Sequence, residues 1–175
     1  DLYLCDDQSK DNTLEIIRNN KFQNKIKIIK PKKKKFNSGA QNFFYLISKI
    51  DNIDYQYFGF SDQDDIWEKS KIISAVQSLK KNNCDFYSSC FYAFWNNNKK
   101  VYINKNPNQR KYDYIFQSPG PGSTFLITQK GFNSLKGFVV KNYLELENII
   151  SHDWFIYAYA RYNNFEWFID KNSYL

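Results

Sequence analysis

Methionine is missing from the 175 residues, histidine occurs once, and cysteine occurs three times, at Cys5, Cys84 and Cys90. A lone His152 excludes a histidine-built metal centre within these residues. Three thiols without metal-ligand spacing point away from a zinc ribbon. Such thiols are expected reduced and buried, which fits a cytoplasmic setting, with the cytoplasmic face of a membrane as one place within it. No uncharged apolar run reaches the roughly 18 residues a membrane-spanning helix needs. No signal-peptide pattern is visible. No repeat or low-complexity linker interrupts the chain beyond one lysine run and scattered asparagines, so a single domain with a full core is expected. The chain opens at Asp1, directly on a strand-like segment, so it is expected to be a piece of a longer protein.

Aromatic residues are abundant: fourteen tyrosines, sixteen phenylalanines and four tryptophans. The core is therefore expected to be built largely from rings. The formal charge of +7 raises a nucleic-acid reading. However, Lys32 to Lys35 supply four of the positive charges in one run, and such runs are more often solvated loops. The run could also gather anionic substrates or tether the chain to an acidic membrane.

Local patterns lay out the elements. Leu2 to Cys5 reads as a short buried strand ending in Asp6-Asp7, and Asp11 can cap a helix carrying Leu14 and Ile17. Lys25 to Lys30 reads as a strand. Asn37-Ser38-Gly39-Ala40 opens a helix that runs to Ile50, and Tyr55 to Phe60 is a further strand. The helix at about 68–82 has Ile72, Val76 and Leu79 on one face. Asp85 to Trp95 is a long strand, and Asn96-Asn97-Asn98 turns into Val101 to Ile103. Pro119-Gly120-Pro121-Gly122 breaks regular structure before a short strand, Ser123 to Ile127. A helix over Gln129 to Leu135, another from Glu145 to about Tyr162, and a last strand, Phe165 to Ile169, complete the chain. Strands alternating with helices at these spacings predict an α/β fold with a parallel, helix-covered sheet.

In such sheets ligands lie beyond the carboxyl ends of strands, where both Asp6-Asp7 and Asp62 to Asp65 fall. Asp62, Asp64 and Asp65 are three carboxylates within four positions, and they repel one another unless a cation lies between them. Hard oxygen donors suit Mg²⁺ or Mn²⁺ carrying phosphate oxygens. The plainer alternative is an acidic turn in which Asp65 caps the next helix.

Five ordered motifs resemble those of the family 2 inverting glycosyltransferases, in particular a rhamnosyltransferase-like branch. Cys5-Asp6-Asp7-Gln8-Ser9-Lys10-Asp11-Asn12-Thr13 is similar to the family's Val-Asp-Asp-Gly-Ser-x-Asp-x-Thr, with Gln8 where glycine is common. Asn37-Ser38-Gly39 matches its Asn-x-Gly, with a further amide at Asn42. Asp62-Gln63-Asp64, inside Ser61-Asp62-Gln63-Asp64-Asp65-Ile66-Trp67, matches its Asp-x-Asp. Gly122-Ser123-Thr124 and His152-Asp153-Trp154 follow in order.

The resemblance implies a GT-A fold: a Rossmann-like, mostly parallel sheet flanked by helices, with a small antiparallel element. It implies one glycosyltransferase domain over residues 1–175, lacking the family's first strand and helix and its C-terminal segment. It implies transfer of a sugar, rhamnose for this branch, from a dTDP- or UDP-sugar to a glycan or lipid-linked acceptor. The transfer inverts the anomeric centre, is assisted by Mg²⁺ or Mn²⁺, and serves surface polysaccharide synthesis. Asp64 is then the direct metal ligand, and Asp62 contacts metal or ribose. Asp6, Asp7, Asn37, Gly39 and Asp65 join Asp62 around the nucleotide-sugar. Asp153 is the general base, and Gly122, Ser123, His152 and Trp154 contact the acceptor, with Gly120 shaping its floor. No nucleic-acid partner is implied, and peripheral membrane attachment remains open. Each assignment has a plainer counterpart: a first-turn helix carboxylate for Asp153, a helix-entry turn for Asn37 and Gly39, a structural ring for His152, a rigid turn for Gly122. A nucleotidyltransferase would instead want a Gly-rich, Lys/Arg-bearing loop after its first strand. A basic, aromatic nucleic-acid module would leave the acidic clusters unexplained.

Overall fold

The computed structural model describes residues 1–31, 36–50, 54–96, 99–106 and 108–174. The lysine run and the expected turn residues Asn97 and Asn98 lie outside these. The chain forms two compact units, Asp1–Ile53 with Phe138–His152, and Asp54–Gly137 with Asp153–Leu175.

In the first unit, β1 (Leu2–Cys5) pairs in parallel with β2 (Ile26–Ile29), Leu2 facing Ile26 and Cys5 facing Ile29. Between them, α1 (Thr13–Arg18) is too short to bury any residue. Asp11 serves its start, its carboxylate accepting from the Thr13 amide at 3.0 Å, although Asn12 holds the cap position. Next comes α2 (Gly39–Lys49), capped by Ser38, whose Oγ accepts from the Gln41 amide at 3.3 Å. It buries Ala40, Phe44 and Ile47, a stripe at helical spacing. Gln41 Nε2 donates to the Glu147 carbonyl, and the Tyr143 ring meets Tyr45 edge-on at 6.4 Å, so residues 143–147 close over α2.

The second unit holds β3 (Tyr57–Gly59), α3 (Lys71–Asn82), β4 (Phe86–Phe94), β5 (Lys100–Ile103), β6 (Leu126–Thr128), α4 (Gln129–Lys141), α5 (His152–Tyr162) and β7 (Trp167–Ser173); the division between units falls within α4 and at the start of α5. The strand order is β3-β6-β4-β5, with β7 also on β4. Only β7 runs parallel to its partner; the β3–β6, β6–β4 and β4–β5 pairings are antiparallel. The expected parallel pairing is found in β1–β2 and β4–β7, and the antiparallel element takes in the β3–β6, β6–β4 and β4–β5 pairs. Local pattern marks a strand but not its neighbour, and β6 enters between β3 and β4 after a return of the chain.

Helix limits also move. The acidic turn stays open until Ser70, so Asp65 does not cap α3. The expected strand at Ser123 begins at Leu126, after a 3-10 turn over Gly122–Thr124. The long helix expected from Glu145 divides into a 3-10 turn over Glu145–Asn148 and α5.

The core of this unit is aromatic. Trp167 stacks on Phe86 at 5.3 Å and receives Phe125 and Tyr157 edge-on at 4.9 and 5.0 Å. Phe58 stacks on Phe132 at 3.9 Å, joining β3 to α4. Burying each such ring contributes about 1.5–3 kcal/mol. The sheet is thereby a rigid base for the loop that follows β3.

Candidate functional site

Strand β3 ends at Gly59 because the chain must pass close to the Phe125 carbonyl there: a Cβ on Gly59 would lie 3.3 Å from that oxygen. The same Cβ would sit 3.9 Å from Trp67, so Trp67 folds back against the strand end and closes the acidic loop around itself. Against the indole lies Lys71, 2% exposed, with its ammonium 3.7 Å from the ring centroid. Burial pulls the Lys71 proton affinity down to about 8, and Asp65 opposes that shift. The loop therefore carries its own enclosed cation.

Asp62 reports the charge of the site. Its proton affinity is raised first by burial, then by the charges of Asp65, Asp64 and Asp153. Two of these are neighbours in sequence, but Asp153 arrives from α5. The charge of Asp153, from α5, thus reaches the Asp-x-Asp loop. Asp153 stands in the first turn of α5, where the helix N-terminus favours an anion. Its Oδ1 accepts from the Trp154 amide at 2.7 Å. Trp154 is 40% exposed, and its Nε1 donates to the Tyr114 carbonyl at 2.7 Å, which fixes the indole beside Asp153.

The remaining expected residues take varied places. In the first unit, the Asp7 carboxylate accepts the Phe36 amide at 3.1 and 3.0 Å, which ties the end of β1 to the entry of α2. Asp6 Oδ1 accepts the Ser9 amide at 3.1 Å. Burial, then the charges of Asp7 and Asp6, push the Cys5 thiol up to about 11, so it stays protonated. Gln8, standing where the family commonly has glycine, adopts φ 65°. Asn42 Nδ2 donates to the Cys5 carbonyl at 3.3 Å. Asn37 is exposed, and a Cβ on Gly39 would meet nothing within 4 Å. Neither packing nor conformation demands glycine at 39, and its surface is open to a ligand. The His152 ring lies 4.1 Å from Phe43 in a stacked arrangement.

Gly122, Ser123 and Thr124 are all buried, and Ser123 is fully enclosed. Direct acceptor contact by the Ser123 hydroxyl has no exposed surface to act through. Gly120, at φ 127°, is the residue of the Pro-Gly-Pro-Gly turn whose backbone requires glycine.

Two features escaped the sequence reading. Lys71 follows Trp67 by four positions, a spacing that could have suggested their contact. The second is a buried knot of Asp113, Tyr157 and Arg161. Tyr157 Oη donates to Asp113 Oδ2 at 3.0 Å, and Arg161 Nη1 lies 3.2 Å from Asp113 Oδ1. It anchors α5, and hence Asp153, to residues 110–113, because Arg161 Nη2 also reaches the Arg110 carbonyl at 3.1 Å. No spacing in one sequence links Asp113 to Arg161.

Among the described residues, no three His, Cys, Asp or Glu side chains form a ready-made metal cage. The donors around Asp62 are all carboxylate oxygens in mutual repulsion, which fits a hard divalent cation held by one or two carboxylates and completed by phosphate oxygens.

Residues 1–139 match the model of glycosyl transferase family 2, and the chain belongs to that family. It is 39% identical over 173 residues to the dTDP-rhamnosyl transferase RfbG of Shigella flexneri, covering 97% of this chain and 59% of that protein. It is 26% identical over 132 residues to the UDP-Glc:alpha-D-GlcNAc-diphosphoundecaprenol beta-1,3-glucosyltransferase WfgD of Escherichia coli, covering 74% of this chain and 49% of that one. Among solved structures, S. aureus TarS 1-349 superposes with a TM-score of 0.66 at 16% identity, over 98% of this chain and 49% of TarS. The fold is therefore GT-A. The chain spans about half to three-fifths of the length of these proteins.

Proposed function

We propose that this chain carries the donor-binding and catalytic carboxylates of an inverting glycosyltransferase that moves a sugar, rhamnose in the first instance, from a dTDP- or UDP-sugar to a glycan or lipid-linked acceptor. One observation carries the reading: Asp62 feels Asp64, Asp65 and, from a different element, Asp153. A first-turn helix carboxylate with a purely capping role would not need to stand in the field of an Asp-x-Asp motif. Likeness to RfbG supports the donor class, and likeness to both named transferases supports a place in surface polysaccharide synthesis.

In this reading Asp64, with Asp62, would hold Mg²⁺ or Mn²⁺. When bound, the ion would supply Lewis-acid neutralisation of the diphosphate leaving group. Asp6, Asp7, Asn37 and Gly39 are the proposed nucleoside ligands, and Asp65 steadies the loop through its attraction to Lys71. Asp153 accepts the proton of the acceptor hydroxyl as its oxygen bonds to the anomeric carbon. The carbon–oxygen bond to the diphosphate breaks on the opposite face, and the nucleoside diphosphate leaves with the electron pair. Trp154 and His152 orient the acceptor. We place the protein in the cytoplasm, with peripheral association at the membrane that would present a lipid-linked acceptor.

The test is nucleotide release by the full-length protein across a panel of dTDP- and UDP-sugars with Mn²⁺. Asp153→Asn is expected to lower kcat by about 10²–10⁴-fold while donor binding persists. Asp64→Ala should lose both turnover and Mn²⁺-dependent nucleotide binding. Wild-type turnover in either variant overturns the role given to that residue.

A further inference from the structure

From Phe86 to Tyr112 the sequence holds five Lys or Arg and no Asp or Glu. The hairpin of β4 and β5 lies within this stretch. Its register sets Tyr92 opposite Tyr102 and Phe94 opposite Lys100, so these four side chains share one face. Phe94 is 55% exposed, Trp95 just beyond it 50%, and Tyr92 and Tyr102 stand open beside them. Four large aromatic groups thus stand exposed together at the margin of a sheet. The β4 segment before them is fully buried from Phe86 to Cys90, so the aromatic character is not forced by the core where the strand projects.

We propose that this hairpin seats the protein on an anionic membrane surface, with Phe94, Trp95 and Tyr92 entering the headgroup layer and Lys99 and Lys100 meeting lipid phosphates. Indole and phenol rings favour that layer because an apolar body and a polar edge are both accommodated there. The flanking ammonium groups supply the attraction to anionic lipid. The lysines already lie against the rings: Lys100 Nζ is 4.2 Å from the Tyr92 centroid and Lys99 Nζ 5.4 Å from that of Trp95. That arrangement argues against stacking on nucleobases or sugars, which requires bare ring faces. The edge position of β5 and its lysines likewise oppose strand pairing with a second copy. The two ammonium groups beside the exposed rings are what favour lipid phosphate over a neutral protein surface. Among the described residues no helix is long and apolar enough to cross a membrane, so the hairpin would provide contact from one side. The inference stands apart from the transfer chemistry, since lipid binding can be measured without turnover.

The full-length protein should sediment with vesicles of equal parts phosphatidylglycerol and phosphatidylcholine, and not with phosphatidylcholine alone. Phe94→Ser with Trp95→Ser, and separately Lys99→Glu with Lys100→Glu, should each weaken that binding by at least about ten-fold. Both double variants should keep the wild-type melting temperature and Mn²⁺-dependent nucleotide binding, because the altered side chains are exposed. Undiminished vesicle binding in both variants would overturn the proposal. So would wild-type protein that ignores anionic vesicles, that dimerises through this hairpin, or that binds RNA in their place.

Discussion

Asp62 and Lys71 bracket the acidic loop with opposite electrostatic problems. Lys71 is a buried cation whose cost is met by an indole face and a nearby carboxylate. Asp62 is a half-buried anion among anions, and its proton is held more tightly in the fold than in the unfolded chain. The sign of the consequence is definite. The folded state binds more protons than the unfolded one as pH rises out of the unfolded carboxyl range, so stability declines until Asp62 is ionised in both states. Above the folded-state value the whole cost is present. Asp62→Asn is therefore expected to raise the melting temperature at pH 7 without divalent cations, and to flatten the acid-side decline. Mn²⁺ should raise the wild-type melting temperature and leave the variant's nearly unchanged. Scanning calorimetry with EDTA and with Mn²⁺ checks both, and a variant that melts lower in EDTA would contradict the account. Gln8 is a smaller case of strain: holding a non-glycine residue at φ 65° costs about 1 kcal/mol, and the turn after β1 retains that geometry regardless.

The packing of α4 on the sheet turns on Gly131. A Cβ there would stand 2.9 Å from both Ile127 and Phe86 side chains, and Phe86 is fixed by its stacking on Trp167. Gly131→Ala is expected to cost about 1–3 kcal/mol through overpacking, read as a lower midpoint in urea with an unchanged slope. Element existence was largely legible from local pattern. The stripe Ala40, Phe44 and Ile47 made α2, and the Pro-Gly-Pro-Gly segment stopped regular structure where expected. Element limits were less so. Residues 145–162 keep a helical pattern of apolar positions throughout, yet Ile149 takes an extended conformation at ψ 122° and divides it. The partners of β6 were not legible, because it could satisfy its hydrogen bonds in either direction and both β3 and β4 are distant from it in sequence.

For the molecule as a whole, ligand binding should register as stability. With dTDP or UDP at about a hundred times Kd in the presence of Mn²⁺, the native state should gain about 2.7 kcal/mol. Asp64→Ala should remove that gain while Asp153→Asn keeps it, since only the former is assigned to the diphosphate. Protection by both nucleotides without Mn²⁺ would refute the metal's role. The order of motifs, the acidic turn after a strand and the family to which the chain belongs can all be read from residues in a row, since each depends on neighbours a few positions apart. The influence of Asp153 on Asp62 and the antiparallel insertion of β6 belong to the folded chain alone. They depend on contacts between distant segments, whose pairing is chosen by burial and loop closure rather than by any local preference.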